Sequence, residues 1–508
     1  MIVLNKYLKN KDFIRLTENK ETIEIHEALK SAVENNHQFL TEFSADKVIY
    51  GVNTGFGPMA QFRVSDENRL KLQYNLIRSH ASGTGKVMPE EHIRATMIAR
   101  LNSLAQVKSG VHPSVIELLA ELINKEIYPV IFEHGGVGAS GDLVQLAHVA
   151  LVLIGEGEVI YQGERQATKD VFEKENLKPI TIAVREGLAL INGTSAMTGI
   201  GLMNHHKAER LLNWSISCSA LINEIVEAYD DHFSEELNGA KKHKGQAKIA
   251  EIVREHLQDS KRTKKRDQHL YNGKNQEKVF KEKVQEYYSI RCIPQILGPI
   301  YDTLNYVGEV LENELNSAND NPIIDSEKGQ VYHGGNFHGD YVSLEMDKLK
   351  LVVTRMTMLA ERQLNYLVNS KINEILPPFV NRGVLGLNYG VQAAQFTATS
   401  TTAENQMLSN SMYVHSIPCN NDNQDIVSMG TNAAQIASTT IENAFEVLSI
   451  EMITLYQAVK HLDILESLSS KSKEIIVKLG AVIPDIIEDN PLYPVIERTK
   501  QYLKTTNS

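Results

Sequence analysis

The sequence is poor in cysteine and has no long apolar run. Its three cysteines, Cys218, Cys292 and Cys419, are widely spaced and odd in number, so they indicate neither a disulfide framework nor a metal site. No stretch approaches about 18 uninterrupted apolar residues, and residues 1–10 show neither a long apolar core nor a cleavage signal. We therefore expect a cytoplasmic protein with no membrane partner.

An excess of positive charge is also missing. The 508 residues carry a formal net charge of −11, and an acidic balance gives no electrostatic footprint for nucleic acid. The one basic run, residues 261–266, is flanked by acidic and polar residues, so we interpret it as a solvated loop or helix end. We therefore expect no nucleic-acid partner.

Apolar residues at three- and four-residue steps predict a mainly α-helical protein. Short amphipathic helices are expected over residues 66–80, 90–106, 112–126 and 142–154, and residues 158–194 are more strand-like. Longer runs predict a bundle of helices that each cross the molecule: residues 196–227, 278–316 (interrupted at Pro294 and Pro299), 341–376, 390–408 and 431–461.

These patterns divide the chain into two regions. Residues 1–194 form a smaller N-terminal region with the glycine-rich loops, and residues 195–508 form the long-helix bundle, where we also expect the oligomerisation surface. The polar segment 237–277 is expected to be the least ordered.

The chain is organised around a glycine-rich segment, residues 134–143, which leads into a helical pattern. Residues 136–141 spell GxGxxG, with Glu156 and Glu158 near the spacing of a dinucleotide-binding fingerprint. That fingerprint needs alternating strands and helices, whereas the surrounding chain has a helical pattern. Asp142 would also put a negative charge where a pyrophosphate should bind. We therefore disfavour a dinucleotide site.

The string Gly138-Ala139-Ser140-Gly141-Asp142-Leu143, followed by Leu146-Ala147-His148, resembles the signature of the aromatic amino acid ammonia-lyases. In that family Ala-Ser-Gly cyclises with loss of two waters to give 4-methylidene-imidazole-5-one (MIO), a built-in electrophile. The residue types suit this chemistry, because a glycine nitrogen folds back most easily where no Cβ interferes, and serine supplies the hydroxyl that is lost. The resemblance implies MIO formed from Ala139, Ser140 and Gly141, with no external cofactor and no metal.

Further strings between residues 50 and 429 carry the same resemblance. The string YGVNTGFG resembles the family's inner active-site loop, which implies that its first residue, Tyr50, is the general base. That role requires a tyrosine pKa well below about 10. The string NLIRSHASG implies that Ser79 and His80 face the ring of the substrate.

Two strings resemble the groups around MIO and the substrate carboxylate. In INGT, Asn192 corresponds to the asparagine that hydrogen-bonds the MIO carbonyl oxygen and raises its electrophilicity. In QEYYSIR, Gln285, Tyr288 and Arg291 stand three residues apart and would share one helix face. The resemblance implies that Arg291 binds the substrate carboxylate as a bidentate pair and that Tyr288 stabilises the adduct.

The remaining strings bear on substrate choice. SANDNP resembles the polar shell on the carboxylate side, through Asn321, and GGNFHG supplies Phe337, which would pack near MIO. NNDNQDIVSM contains Asn423 and Gln424. Histidine-specific members carry glutamate at the position of Gln424, whereas members acting on phenylalanine or tyrosine usually carry glutamine. Gln424 therefore favours tyrosine, while the neighbouring pair that ends in His80 resembles the histidine enzymes.

Taken along the chain, the resemblance is greatest to bacterial tyrosine-specific members. It implies elimination of ammonia from L-tyrosine to give trans-p-coumarate, a fold of the histidase and fumarase-like type, and a homotetramer in which three subunits complete each site. A histidine ammonia-lyase and a tyrosine 2,3-aminomutase stay open as alternatives. A scaffold that had lost its activity would be expected to lack Ser140 or Tyr50, and both are present.

Overall fold

A computed structural model describes residues 1–183, 185–271, 273, 278–280 and 283–506. Most of these residues are helical, which confirms the mainly α fold class. In chain order the α-helices are α1 (Asn10–Thr17), α2 (Glu27–Phe43), α3 (Arg69–His80), α4 (Glu90–Leu104), α5 (Pro113–Asn124), α6 (Leu143–Leu153), α7 (Thr168–Glu175), α8 (Glu186–Ile191), α9 (Ser195–Ile225), α10 (Glu235–Gly239), α11 (Lys244–His256), α12 (Arg266–His269), α13 (Tyr288–Arg291), α14 (Ile293–Leu315), α15 (Asp340–Val368), α16 (Ser370–Asn373), α17 (Gln392–Leu408), α18 (Gly430–Leu462), α19 (Ser470–Leu479) and α20 (Tyr493–Thr505).

The strands are short and form small separate sheets. The sheets are a parallel pair of β1 (Ile2–Leu4) and β2 (Ile23–Ile25), an antiparallel pair of β3 (Thr84–Val87) and β5 (Phe132–His134), a three-stranded antiparallel sheet of β4 (Tyr128–Pro129), β6 (Glu158–Tyr161) and β7 (Glu164–Ala167), and an antiparallel pair of β8 (Ile323–Asp325) and β9 (Gln330–Tyr332).

The described chain forms two compact units, neither of which is continuous in sequence. The first contains residues 1–205, 307–347 and 411–438, and the second contains residues 206–306, 348–410 and 439–508. Both are groupings by spatial contact, so the division of the sequence at residues 194 and 195 stays a prediction.

The first unit contains helices that are buried on all sides, even where the sequence places polar residues in them. In α4 every residue from His92 to Leu104 is buried, and the buried guanidinium of Arg94 is satisfied by the carbonyls of Leu16 and Ile123 at 2.7 and 2.8 Å. Helix α5 begins with Pro113 in its first turn, where the missing N–H costs nothing. These buried elements give the neighbouring loops a rigid base.

The helical periodicity places several of the longer helices correctly. The expected helices at 112–126, 196–227 and 431–461 correspond to α5, α9 and α18. The strand-like expectation for 158–194 is correct only for β6 and β7, since α7 and α8 follow. The expected helix at 278–316 is wrong at its start, because α14 begins at Ile293, and Pro299 lies inside that helix without interrupting it.

The described part of the polar segment 237–277 contains a helix that its composition does not indicate. Residues 272 and 274–277 lie outside the described residues, but Lys244–His256 forms α11 and buries Ile249, Ala250 and Val253. These three residues follow helical spacing, a signal that the charged surroundings obscure. Among the described helices, none is both long enough and apolar enough to cross a membrane.

The second unit contains a buried carboxyl group in an apolar setting. Glu451 on α18 is 1% exposed, and neither of its carboxyl oxygens has a hydrogen-bond partner among the described residues. Desolvation raises the pKa of Glu451 well above its usual value. The group is therefore protonated in the folded protein at a pH where it would ionise in the unfolded chain.

Glu451→Gln is expected to stabilise the protein more at pH 8 than at pH 5. Folding of the wild type must take up a proton once the pH exceeds the unfolded pKa of about 4.3, so its stability falls as the pH rises toward the folded pKa. Glutamine carries no such cost, and the gain at pH 8 should be on the order of 1 kcal/mol or more. Urea unfolding at both pH values measures this difference. The control is Glu497→Gln at an exposed position of α20; a gain independent of pH, or one shared by the control, would contradict the prediction.

Candidate active site

A cavity of about 580 Å³ in the first unit collects most of the side chains singled out from the sequence. Nine of the predicted site residues line it: Tyr50, Ser79, His80, Ser140, Asn192, Asn321, Phe337, Asn423 and Gln424. They come from the loop after α2, the end of α3, the glycine-rich segment before α6, the end of α8, the segments before β8 and before α15, and the loop before α18. The fold thus brings together residues that lie up to several hundred positions apart in the sequence.

Two side-chain amides hold the tripeptide Ala139-Ser140-Gly141. Asn192 Nδ2–H donates to the carbonyl oxygen of Ser140 at 2.9 Å, and Gln424 Nε2–H donates to Ser140 Oγ at 3.0 Å. Ala139 is buried. Both oxygens of Ser140 are therefore fixed at the wall of the cavity.

The backbone crossing between Gly141 and Gly193 leaves no room for side chains. Gly141 has φ +73°, and a Cβ on it would lie 2.0 Å from the carbonyl oxygen of Gly193. The two glycines form a parallel bridge, and the N–H of the next residue, Asp142, donates to the Gly193 carbonyl at 2.7 Å. On the other side of the crossing, a Cβ on Gly193 would lie 2.4 Å from Nη1 of the buried Arg100.

The carboxylate of Asp142 joins the segments that surround the tripeptide. Its Oδ2 accepts the N–H groups of Ala196 and Met197 at 2.8 and 2.9 Å. These groups lie in the first turn of α9, where the helix itself supplies no acceptor for them. Its Oδ1 accepts the hydroxyl of Thr431 near the start of α18. Complete burial raises the pKa of Asp142 to about 6. From the sequence, Asp142 was expected only to disfavour a pyrophosphate, and this structural role was not predicted.

A second chain of polar contacts continues from Asn192. Its Oδ1 accepts the N–H of Asn321 at 3.0 Å, and Asn321 Oδ1 accepts the N–H of Gly334 at 2.9 Å. The preceding residue, Asp320, forms a buried ion pair with Arg185, with 3.0 Å between Oδ1 and Nη2. The pair was not predicted from the sequence; the adjacent charges of Arg185 and Glu186 within an apolar run were the available signal.

Tyr50 is fixed by the loop in which it lies. Its hydroxyl oxygen accepts the N–H of Gly57 at 2.9 Å, and its ring meets Phe56 edge to face with centroids 6.1 Å apart. Gln73 Nε2–H donates to the carbonyl of Gly51 at 3.0 Å, which ties the loop to α3. The hydroxyl group and ring of Tyr50 and the backbone of the next residue therefore each have a specific partner.

Ser79 and His80 end α3 at another wall of the cavity. His80 Nδ1 lies 2.9 Å from the carbonyl oxygen of Leu76 and 3.1 Å from Ser79 Oγ. A carbonyl only accepts hydrogen bonds, so this contact requires the proton on Nδ1 and leaves Nε2 as an acceptor. The tautomer of His80 is thus set by its own helix.

A tight loop presents Asn423 and Gln424 to the cavity. Cys419 and Gln424 form an antiparallel bridge with backbone N–H···O distances of 3.1 and 3.3 Å. Between them, residues 420–422 all have φ between +54° and +58°, which asparagine and aspartate tolerate better than most residues. Phe337, half-buried, lines the cavity as well.

Five predicted residues do not line this cavity, and two of them, Ala139 and Gly141, flank Ser140, which does. Gln285, Tyr288 and Arg291 belong to the second unit, where Tyr288 is 70% exposed and the Arg291 guanidinium lies 4.9 Å from the centre of its ring. The prediction that all three share a helix face is wrong for Gln285, because α13 begins at Tyr288.

Other site types receive no support from the described residues. No group of three or more His, Cys, Asp or Glu side chains in this part of the chain could hold a metal ion. Before the GxGxxG string, β5 pairs antiparallel with β3, unlike the parallel βαβ unit of a dinucleotide site.

A sequence model described as aromatic amino acid lyase matches residues 8–480, most of the chain. The chain belongs to the aromatic amino acid lyase family. The expectation of a carbon–nitrogen lyase-family enzyme is therefore confirmed.

Similar proteins include both ammonia-lyases and aminomutases. The histidine ammonia-lyase of Geobacillus sp. (strain WCH70) is 39% identical over 474 residues, covering 93% of this chain and 90% of the relative. The tyrosine 2,3-aminomutase of Myxococcus sp. (strain Mx-B0) is 39% identical over 492 residues, covering 95% and 93%. The solved structure of the phenylalanine aminomutase of Pantoea agglomerans has a TM-score of 0.95 at 33% identity and covers 100% of this chain and 99% of that one.

In this lyase-family protein, Asp142→Ala is expected to lower the free energy of unfolding by about 2 kcal/mol, because it leaves two helix N–H groups and one buried hydroxyl without an acceptor. Urea unfolding measures the loss. Asp142→Asn keeps one acceptor oxygen and should lose less than the alanine variant. Wild-type stability in Asp142→Ala, or an equal loss in both variants, would contradict the capping role.

Proposed function

We propose that this enzyme eliminates ammonia from L-tyrosine and releases trans-p-coumarate, with MIO formed from Ala139, Ser140 and Gly141 as its prosthetic group. The observation that carries the proposal is the composition of one cavity. Its lining combines Ser140 and Tyr50 with His80 and the uncharged Gln424.

The surroundings of the tripeptide fit this prosthetic group. Ring closure through the Gly141 nitrogen is easiest at a residue without Cβ. The crossing with Gly193 likewise leaves no room for a Cβ at this position. The Ser140 carbonyl, which would become part of the ring, already accepts the Asn192 amide. When formed, MIO supplies an electrophile that draws electron density from the substrate amine and makes ammonia a better leaving group. Asn192 strengthens that effect by hydrogen-bonding the ring oxygen.

We assign removal of the substrate β-proton to Tyr50. The N–H of Gly57 donates to the hydroxyl oxygen, which holds that oxygen in place at the wall of the cavity. Contact with Phe56 limits rotation of the ring, so the oxygen keeps one direction. The phenolate oxygen accepts the β-proton while the carbon–nitrogen bond breaks.

We assign recognition of the substrate phenol to His80. Because Nδ1 carries a proton for the Leu76 carbonyl, Nε2 is free to accept the phenol O–H. Gln424 lines the same cavity without a charge. A neutral amide favours a phenol, whereas a carboxylate at this position would favour the imidazole of histidine through a charge-assisted hydrogen bond.

The substrate carboxylate requires a cation, and neither arginine nor lysine is found among the described residues that line this cavity. We propose that Arg291 of another copy supplies the bidentate partner, with Tyr288 and Gln285 of that copy beside it, in a homotetramer with shared sites. The exposure of Tyr288 leaves it accessible to a neighbouring subunit.

The relatives make two other functions the alternatives. A histidine ammonia-lyase is favoured by the similar protein from Geobacillus and opposed by Gln424. A tyrosine 2,3-aminomutase is favoured by the similar protein from Myxococcus. It would use the same residues through the elimination and then return ammonia to the β-carbon, so the released product distinguishes the two.

Purified protein is expected to convert L-tyrosine to p-coumarate and to act much more slowly on L-histidine and L-phenylalanine. Ultraviolet absorbance follows each conjugated product, and chromatography detects β-tyrosine. Ser140→Ala, which has no hydroxyl to lose, should be inactive. Preferred turnover of histidine would replace tyrosine as the proposed substrate, and β-tyrosine as the main product would replace the lyase with an aminomutase.

Gln424→Glu is expected to shift the ratio of kcat/KM for tyrosine over histidine roughly ten- to hundredfold toward histidine, because hydrogen bonds to a charged group are the stronger ones. Steady-state kinetics with both amino acids measure the ratio. Asn423→Asp adds the same charge at the neighbouring lining residue and serves as the matched control. An unchanged ratio in Gln424→Glu, or an equal shift in the control, would contradict the assignment.

A further inference from the structure

The side-chain amide of Gln424 has a second partner besides Ser140. The thiol of Cys419 donates to Gln424 Oε1, with 3.4 Å between sulfur and oxygen, while Nε2–H donates to Ser140 Oγ at 3.0 Å. We propose that Cys419 is a positioning residue, whose thiol fixes the Gln424 amide with its N–H group toward the tripeptide. This inference rests on the function proposed above for Gln424 at the substrate end of the cavity.

An amide side chain has two orientations, which exchange its oxygen and its nitrogen. Ser140 does not distinguish them, because a hydroxyl group both donates and accepts hydrogen bonds. Cys419 does, because its S–H can donate to the amide oxygen, whereas in the reversed orientation the amide N–H₂ would meet a sulfur that accepts only weakly. The thiol thus decides which atom of Gln424 faces Ser140.

The backbone delivers this thiol to one place. Reciprocal hydrogen bonds join the main chains of Cys419 and Gln424, and three of the four intervening residues, 420–422, are in the left-handed region and close the loop tightly. Asn423 N–H also donates to the carbonyl of Asn420 at 3.2 Å. Neither partner in the thiol–amide contact can therefore move far without breaking the loop.

The orientation of the amide has a chemical consequence. In the observed orientation a donor faces Ser140, the residue whose hydroxyl must leave as MIO forms, and the carbonyl oxygen is occupied by Cys419. A reversed amide would present an acceptor to the tripeptide and to the ring of the substrate. Losing a neutral hydrogen bond of this kind corresponds to a roughly two- to tenfold change in an equilibrium or rate.

A double-mutant cycle tests the proposal. Cys419→Ala is expected to lower kcat/KM for the preferred amino acid roughly two- to tenfold and to have no further effect in a Gln424→Leu background, which lacks the amide. Cys419→Ser keeps a donor and should recover at least part of the loss. Ser416→Ala is the matched control, because Ser416 Oγ accepts the N–H of Val427 at 3.0 Å in the same loop without contacting Gln424; its effect should be equal in both backgrounds.

The intact mass of the same preparations gives a readout that does not depend on the substrate. The fraction of chains that have lost two water molecules should be lower in Cys419→Ala than in the wild type or Cys419→Ser, and should not differ between Gln424→Leu and the double variant. Coupling in either readout supports the proposal, and its absence from both overturns it. A wild type that has lost the waters but turns over no aromatic amino acid would refute the proposed function alone.

Discussion

The buried carboxylate of Asp142 is the interaction on which the rest of the site depends. Burying a carboxylate away from solvent is costly unless hydrogen-bond donors surround it. Here the donors come from the starts of α9 and α18, which follow Asp142 in the chain by 54 and 289 residues. Meeting that requirement brings these helix starts against the glycine-rich segment. Ser428, just before α18, then reaches the carbonyl of Gly138 at 3.0 Å. The cavity walls follow from one electrostatic constraint.

The glycine crossing explains why chemistry and scaffold meet at the same residues. Gly141 and Gly193 approach so closely that any Cβ would collide with backbone or with Arg100. The same closeness puts Asn192, the residue before Gly193, within reach of the Ser140 carbonyl. The close packing of the two glycines therefore also aligns the Asn192 amide with the Ser140 carbonyl that it is proposed to activate.

Local features of this protein were predictable from sequence, and long-range ones were not. Helix α5 follows from its apolar spacing and Pro113, and the lining role of Tyr50 and Gln424 follows from strings that resemble a family. Asp142 and Arg185 escaped because their partners are remote in sequence and no periodic pattern marks them. The helix predicted over 278–316 began too early, because Pro294 was read as an interruption within a longer helix, whereas it lies in the first turn of α14 and marks its start.

Substrate choice and reaction outcome can vary while the fold of the site stays the same, because the fold and the substrate contacts depend on different residues. The Asp142 contacts and the glycine crossing involve groups that are buried away from the substrate ring, so exchanging ring contacts leaves them intact. Proteins similar to this one along nearly their whole length are named for histidine, tyrosine and phenylalanine, and for lyase and aminomutase. Selectivity then depends on a few side chains at the cavity wall and on whatever fixes their orientation. A side-chain amide has nearly the same shape in its two orientations, but it presents a hydrogen-bond donor in one and an acceptor in the other. For such a side chain, the partner that sets the orientation matters for selectivity as much as the residue itself.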